Sequence, residues 1–322
     1  MGYTLTNFTQ VTDTPAQVMR LSNAAFVEYE GAMEVDVPWT EWYLQRPGTD
    51  LVLCQAALDG NRLVSQVLVC IQELQLGGQR VRCGLIDSVA TYPEHRRKGL
   101  ARALMNRAHD ALQCAGAAAA VLYTNPAGHP YGFYGRLGYI TRAQGAMFMG
   151  PRPSGDGCAP VPVDAAAQAS GLCALLNRYY AGYEGYAPMD GGIWRWHKLD
   201  PPGTRPVVVA EMTGSGPVST ATFARAELRL PSGTQVVSTA YDLAADTMTA
   251  DQIRSLLAAA PEETVLVVLD EKAPECQMMA ELGLQREVGE VAMVLPFAQH
   301  VREALADHHG PWYFMVESLV GV

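Results

Sequence analysis

A chain of 322 residues with 33 acidic and 23 basic side chains, net charge −10, lacks the basic footprint that general nucleic-acid binding needs. Its 49% hydrophobic content fills two ordinary cores, and no apolar run approaches the length that crosses a bilayer. The start, MGYTLTNFTQVTD, has no basic opening and no apolar signal core, and Thr6 makes only a loose match to a myristoylation signal. Seven cysteines without a CxxC pair read as reduced thiols of a cytoplasmic protein, and no metal site is expected.

Taken in chain order, Asp13 and Thr14 stand as caps ahead of Pro15, and Val18, Leu21, Ala25 and Phe26 recur at helical spacing. YEGAMEVDVPWTEWYLQRPG follows, an acidic and aromatic loop with a second short helix. Three strand-like runs come next, DLVLCQAAL, RLVSQVLVCIQELQL and RVRCGLIDSVAT, separated by Asp59-Gly60 and Gly77-Gly78. Such dipeptides favour tight hairpins, which predicts an antiparallel meander. A helix from about Gly99 carries Leu100, Leu104, Ala108 and Leu112 as an i, i+4 stripe. AAAAVLYT is a buried strand, NPAGHPYGFYGRLGY a turn and short helix, and AQGAMFM a last strand closing the unit near residue 150.

The second half repeats the first faintly. WYLQRPGTDLVL at 42–53 aligns with HKLDPPGTRPVVV at 197–209, each with a tryptophan pair at its start or just upstream, and GRLGYITRAQGAMFM at 135–149 aligns with AELGLQREVGEVAMV at 280–294. A duplicated domain is the expectation: a first domain over 1–150, a linker at 151–162, a second domain over 163–298, and a C-terminal tail or strand over 299–322.

Physically, the stretch from 85 to 104 is a strand broken by Pro93, a basic loop, and a helix start with unpaired amides and a positive dipole end. Gly99 and Ala101 leave room for a phosphate to approach the backbone, and Arg96, Arg97 and Lys98 add charge there. Arg96-x-x-Gly99-x-Ala101 within VATYPEHRRKGLARALM, followed one strand later by GFYGRLGY, resembles the GNAT superfamily of acetyl-CoA-dependent N-acyltransferases over about residues 1–150. The fold class this implies is mixed α/β, two tandem GNAT-like domains, the second degenerate.

The resemblance implies roles. Arg96, Arg97, Lys98, Gly99, Leu100 and Ala101 would hold the pyrophosphate of coenzyme A. Val89, Ala90 and Thr91 would pair with the pantetheine arm, the Val89 amide polarising the thioester carbonyl. Tyr134 matches the tyrosine that protonates the departing thiolate, with plain aromatic packing as its alternative. Asn125 sits where the family's chain often meets the cofactor arm. Asp87, two residues before Val89 on one strand face, is the candidate base. Glu28, Glu34, Asp36 and Trp39 would line the acceptor side, acids and aromatics recruiting a cationic amine, unless the loop is merely solvated.

After TQVVSTAYDLA the second half reads ADTMTADQIRSLLAAA, without glycine or basic loop, and Met279 stands opposite Tyr134. Nothing there would seat a pyrophosphate. Similar two-domain arrangements occur in mycothiol synthases and in the enhanced intracellular survival family of aminoglycoside acetyltransferases, where the terminal carboxylate serves in the site. This chain ends too soon for that family's third domain. The implied activity is acetyl transfer from acetyl-CoA to a primary amine: an aminoglycoside, polyamine or other cationic metabolite, or a protein amine. The other-class reading is a non-catalytic acyl-CoA-binding regulatory module. No nucleic acid, membrane or metal enters either reading, and oligomeric state is open.

Overall fold

The computed structural model describes residues 2–27, 34–155, 160–230 and 233–315. A short edge strand, β1 (Thr4–Asn7), opens the chain. Its four residues are too few to show alternation in the sequence. Pro15 starts α1 (Thr14–Phe26), where Asp13 lies in the left-handed region at φ 49° and makes no cap bond. Proline's preset φ, rather than the predicted cap, sets that start. In α2 (Val37–Leu44) the capping is real, with Asp36 Oδ1 accepting from the Trp39 amide at 2.8 Å.

The meander forms as expected. β2 (Gln55–Asp59), β3 (Arg62–Leu76) and β4 (Gln79–Thr91) pair antiparallel, closing at Asp59↔Arg62 and Leu76↔Gln79. The rest of the first half is α3 (Leu100–Cys114), β5 (Ala119–Thr124), α4 (His129–Arg136) and β6 (Ile140–Pro151). The predicted linker ends in an edge strand, β7 (Val161–Pro162). Then come α5 (Ala169–Tyr179), α6 (Gly191–Lys198), β8 (Val207–Thr213), β9 (Gly216–Leu230) and β10 (Gly233–Ala245). The chain continues through α7 (Ala250–Ala258), β11 (Thr264–Asp270), α8 (Glu275–Glu281), β12 (Gln285–Pro296) and α9 (Gln299–Asp307). The last of these corrects the expected tail: residues 299–307 are helical, Val301 and Leu305 turning a buried face inward.

All twelve strands join in one sheet, ordered β1-β2-β3-β4-β5-β12-β6-β11-β10-β9-β8-β7. The strand expected to close the first unit is therefore not its edge. β6 lies between β12 and β11, while β12 lies between β5 and β6, so each half lends its last strand to the other. The β6–β12 register runs from Gln285↔Met149 to Val294↔Ile140. That antiparallel pairing places the two aligned segments about a local twofold, whose centre falls near Gln144-Gly145 and Gly289-Glu290.

The same relation recurs at the tryptophans. Trp42 and Trp196, 154 residues apart, stack at 4.5 Å and 9°, and each indole N–H donates to the other's carbonyl, at 3.0 and 2.9 Å. Such a pair adds about 1 kcal/mol beyond its buried area. It recurs again in two β-bulges. On β4, Ser88 and Val89 stand against one residue of β3, with Ser88 at φ 45°. On β10, Asp242 and Leu243 do the same against β9, with Asp242 at φ 52°.

Three larger buried clusters fill the molecule. One joins α1 and α3 to β2–β4 and takes in Trp196, Val291 and Met293 from the second half. A second mixes both halves, with Leu74, Leu85 and Val121 against Leu172, Leu176, Trp194, Leu305 and Trp312. The third lies under α7 and α8. Ala146 and Phe148 of β6 belong to that third cluster, so all three cores are shared and the halves are packed as one body.

Candidate functional site

Beyond Leu85↔Val121 the parallel pairing of β4 and β5 ends and the strands part. The bulge at Ser88-Val89 turns β4 away at this point, as bulges beside active sites do. It also breaks the alternation on which the shared face of Asp87 and Val89 rested: Val89 packs against the first core, and Asp87 is half-buried with its Oδ1 accepting from the Ser88 amide at 2.5 Å. Ala90 is buried with its carbonyl taking the Ser65 hydroxyl at 3.0 Å, and Thr91 Oγ1 meets Ser65 Oγ at 2.7 Å. These bonds hold the strand rim rigid.

The basic loop divides its labour in a way composition did not reveal. Arg96 turns inward, its Nε donating to the Thr91 carbonyl at 3.2 Å and its Nη2 to the Ala25 carbonyl at 3.1 Å. It ties the loop to β4 and α1 rather than standing as an open cation. Arg97 and Lys98 are exposed, Lys98 Nζ resting 2.9 Å from the Tyr3 hydroxyl. Arg97 at φ 61° and Gly99 at φ 80° are both left-handed, and a Cβ on Gly99 would meet only open space. No side chain caps α3, so its first amides, ahead of the Ala103 N–Gly99 O bond at 3.0 Å, stay open beside Leu100 and Ala101. An uncapped 15-residue helix approached through a left-handed turn is a cradle for an anion of pyrophosphate size.

Tyr134 is 7% exposed and packs edge-on with Tyr139 and beside Phe133, itself only half-buried. Asn125 is exposed and spends its side chain locally, Oδ1 accepting from the Ala127 amide at 2.8 Å in the turn before α4. On the acceptor side, Asp36 is the α2 cap, Glu34 is exposed, and Trp39 stacks on Tyr43 at 4.9 Å. This aromatic group leads into the Trp42–Trp196 stack, so it joins the halves. Glu28 lies outside the described residues.

One acid was missed by sequence reading. Glu290 of β12 keeps some exposure yet lies deep among surrounding atoms, and burial with the Asp87 charge pushes its carboxyl up to about 8. The available signal was a lone acid within VGEVAMVLP, aligned opposite Gly145.

The corresponding place in the second half is closed. α7 is capped by Thr249, whose side chain accepts from the Gln252 amide at 3.1 Å. β10 and β11 also part, after Ala240↔Val267, but the gap holds aromatic side chains and a cavity of about 20 Å³ lined by Tyr180, Asp242, Asp270, Trp312 and Tyr313. That volume admits one water, not a cofactor arm. Asp242 pairs with Lys198 at 2.6 Å and accepts from the Tyr313 hydroxyl at 2.5 Å. Of the stretch expected as a terminal strand, the described residues 311–315 include the bridge Glu184↔Trp312, and the Trp312 indole donates to the Tyr123 hydroxyl of the first half at 3.1 Å.

Residues 10–141 match the family model of the acetyltransferase (GNAT) domain. No curated protein matches the sequence. Among solved structures, a probable N-acyltransferase from Enterococcus faecalis superposes with TM-score 0.67 at 15% identity, covering 94% of this chain and 74% of that one. A GCN5-related N-acetyltransferase from Anabaena variabilis gives 0.66 at 16% identity, covering 92% and 73%. At these identities the likeness is one of fold, and it spans both halves of the sheet. Among the described residues no helix is long and apolar enough to cross a membrane.

Proposed function

We propose that this protein transfers an acetyl group from acetyl-CoA to a primary amine, in a site built on the first half, and that the second half is a tandem GNAT-like copy without a cofactor seat. The observation that carries the reading is the contrast between the two helix starts. α3 opens uncapped behind a left-handed turn and two exposed cations, whereas α7 is capped and its strand gap filled. When bound, acetyl-CoA supplies the activated acetyl thioester. The open amides from Gly99 to Ala101, with Arg97 and Lys98, hold its pyrophosphate, and Arg96 braces the loop. The β4 rim from Val89 to Thr91 aligns the arm, with Val89 N–H aimed at the acetyl oxygen. Tyr134, on the helix that follows β5, gives its phenolic proton to the departing sulfur.

The acceptor is a cationic amine of the aminoglycoside or polyamine kind, or a protein amine, drawn by the net charge of −10 and the acids and tryptophans near α2. A cytoplasmic location fits the thiols of Cys54, Cys70 and Cys83, which are not in disulfides. An amine-panel assay following coenzyme A release, with calorimetry of acetyl-CoA binding, tests the whole. Turnover with one binding site per chain is expected. Binding without turnover on any amine would favour a regulatory acyl-CoA-binding module, and two sites would refute the closed second half.

A further inference from the structure

β12 departs from regular pairing where it passes the local twofold. Between Val288↔Ala146 and Val291↔Gln144 it has one residue more than β6, so Gly289 and Glu290 both stand against Gly145. The bulge is held in place. The Gln144 side-chain amide donates to the carbonyls of Gly145 and Gly289 at 2.9 Å each and reaches that of Glu290 at 3.5 Å. Position 145 admits no side chain, since a Cβ there would fall 2.8 Å from the Glu290 carbonyl and 3.3 Å from the Phe314 ring. The duplicated segment thus has a glycine in one copy and an acid in the other, and the glycine makes room for the bulge that aims the acid.

Where the bulge lies matters more than its form. β12 pairs with β5 as far as Val291↔Thr124, so Glu290 begins where β5 ends. On the other side, β4 leaves β5 after Leu85↔Val121, and Asp87 comes two residues later. Two acids from different halves therefore flank the open end of β5, close enough that the charge of Asp87 acts on Glu290.

We propose that Glu290, carried on the last strand of the second half, is the general base of the first half's site, with Asp87 as its positioning residue. This rests on the acetyl-transfer reading above. In the step, Glu290 Oε takes a proton from the amine nitrogen as the N–C bond to the acetyl carbon forms. The C–S bond breaks, and the sulfur takes the Tyr134 phenolic proton. Glu290 then returns its proton to water and Tyr134 regains one, so charge and protons balance. The strand exchange acquires a purpose on this account: inserting β12 brings the base to the first half's site.

The elements around Glu290 present Asp87 from β4, Tyr123 and Thr124 from β5, Gln144 from β6, Asp270 and Glu271 beyond Gly145, and Phe314 from the C-terminal stretch. Of these charges, that of Asp87 bears on Glu290, and burial is the larger cause of its upward shift to about 8. A base poised there is ionised often enough near neutral pH to take the proton that a neutral attacking amine gives up as the N–C bond forms.

The test is kinetics of E290Q, E290D and D87N across pH, alongside acetyl-CoA binding. Wild type is expected to show kcat/KM rising about tenfold per pH unit to an inflection near 8, separate from that of the amine itself. E290Q should lose on the order of 10²-fold or more and lose that inflection, with cofactor affinity unchanged. E290D should recover part of the rate, and D87N should move the inflection down without abolishing it. A second readout needs no turnover. Because the folded carboxyl lies above its ordinary 4.5, wild-type stability falls as pH rises from there through about 8. E290Q lacks that loss, so its Tm advantage should widen over the same window. An E290Q enzyme with wild-type rate and inflection would overturn the base; absence of turnover in wild type would overturn the acetyl-transfer reading and the base with it.

Discussion

Replacing Asp242 by Asn tests whether the second half's strand gap is structural filling. Asp242 and Lys198 are 1% and 0% exposed in their side chains and meet at 2.6 Å, with Lys198 Nζ 3.9 Å from the Tyr241 ring centroid. Asn keeps the shape and tolerates the left-handed φ of 52°, so backbone strain is unchanged and only the charge is removed. What remains is a buried ammonium without its counter-ion, which costs roughly 3–5 kcal/mol. The cation–π contact and an amide oxygen persist, so about 3 kcal/mol is expected, a Tm drop on the order of 6–12 °C. Urea unfolding with two optical probes measures it. D242N/K198M removes both charges and should be more stable than D242N alone. A D242N variant within about 1 kcal/mol of wild type, or a double variant no better than the single, would refute the reasoning. Folded D242N should bind acetyl-CoA as wild type does; lost binding would put the cofactor seat in the wrong half.

Tyr134→Phe removes one hydroxyl from a packed ring, so folding should change little while turnover falls by roughly 10²–10⁴-fold and acetyl-CoA affinity holds. An unaltered rate would leave Tyr134 to aromatic packing. Trp196→Ala deletes the stack with Trp42, one of its two reciprocal hydrogen bonds and the Arg46 contact at 5.5 Å. Denaturant unfolding should show a loss of roughly 3–5 kcal/mol. A loss under about 1 kcal/mol would mean that the halves do not depend on that joint.

Much of the first half was legible because its signals are local. Glycine dipeptides at 59–60 and 77–78 demand left-handed turns, and Gly60, Gly77 and Gly78 adopt them at φ 61°, 62° and 72°. The basic loop before α3 was legible as cations ahead of a helix start, yet their orientations were not: whether Arg96 faces solvent or the Ala25 carbonyl depends on where α1 ends. Asp36 and Trp39 were read as acceptor-side groups from residue type; that Asp36 caps a helix and Trp39 stacks on Tyr43 is set by the fold. The shared face of Asp87 and Val89 failed for a single reason, a bulge that alternation cannot foresee.

The sequence by itself determined the meander, the helix start that suits a pyrophosphate, the tyrosine after β5, and the faint repeat that pairs 135–149 with 280–294. Each depends on neighbours within a dozen residues, or on the likeness of two short strings. Only the tertiary structure decided that the two halves exchange their last strands, that Trp312 and Tyr313 stand in the second half's gap, and that Glu290 lies within reach of the Asp87 charge at the end of β5. Strand partners far apart in the chain are chosen by packing both faces of the sheet, and a strand's own period is the same whichever neighbour it takes. An apolar segment with one acid therefore reads identically in a supporting domain and beside a reacting centre. Its position next to the end of β5 is what distinguishes the two.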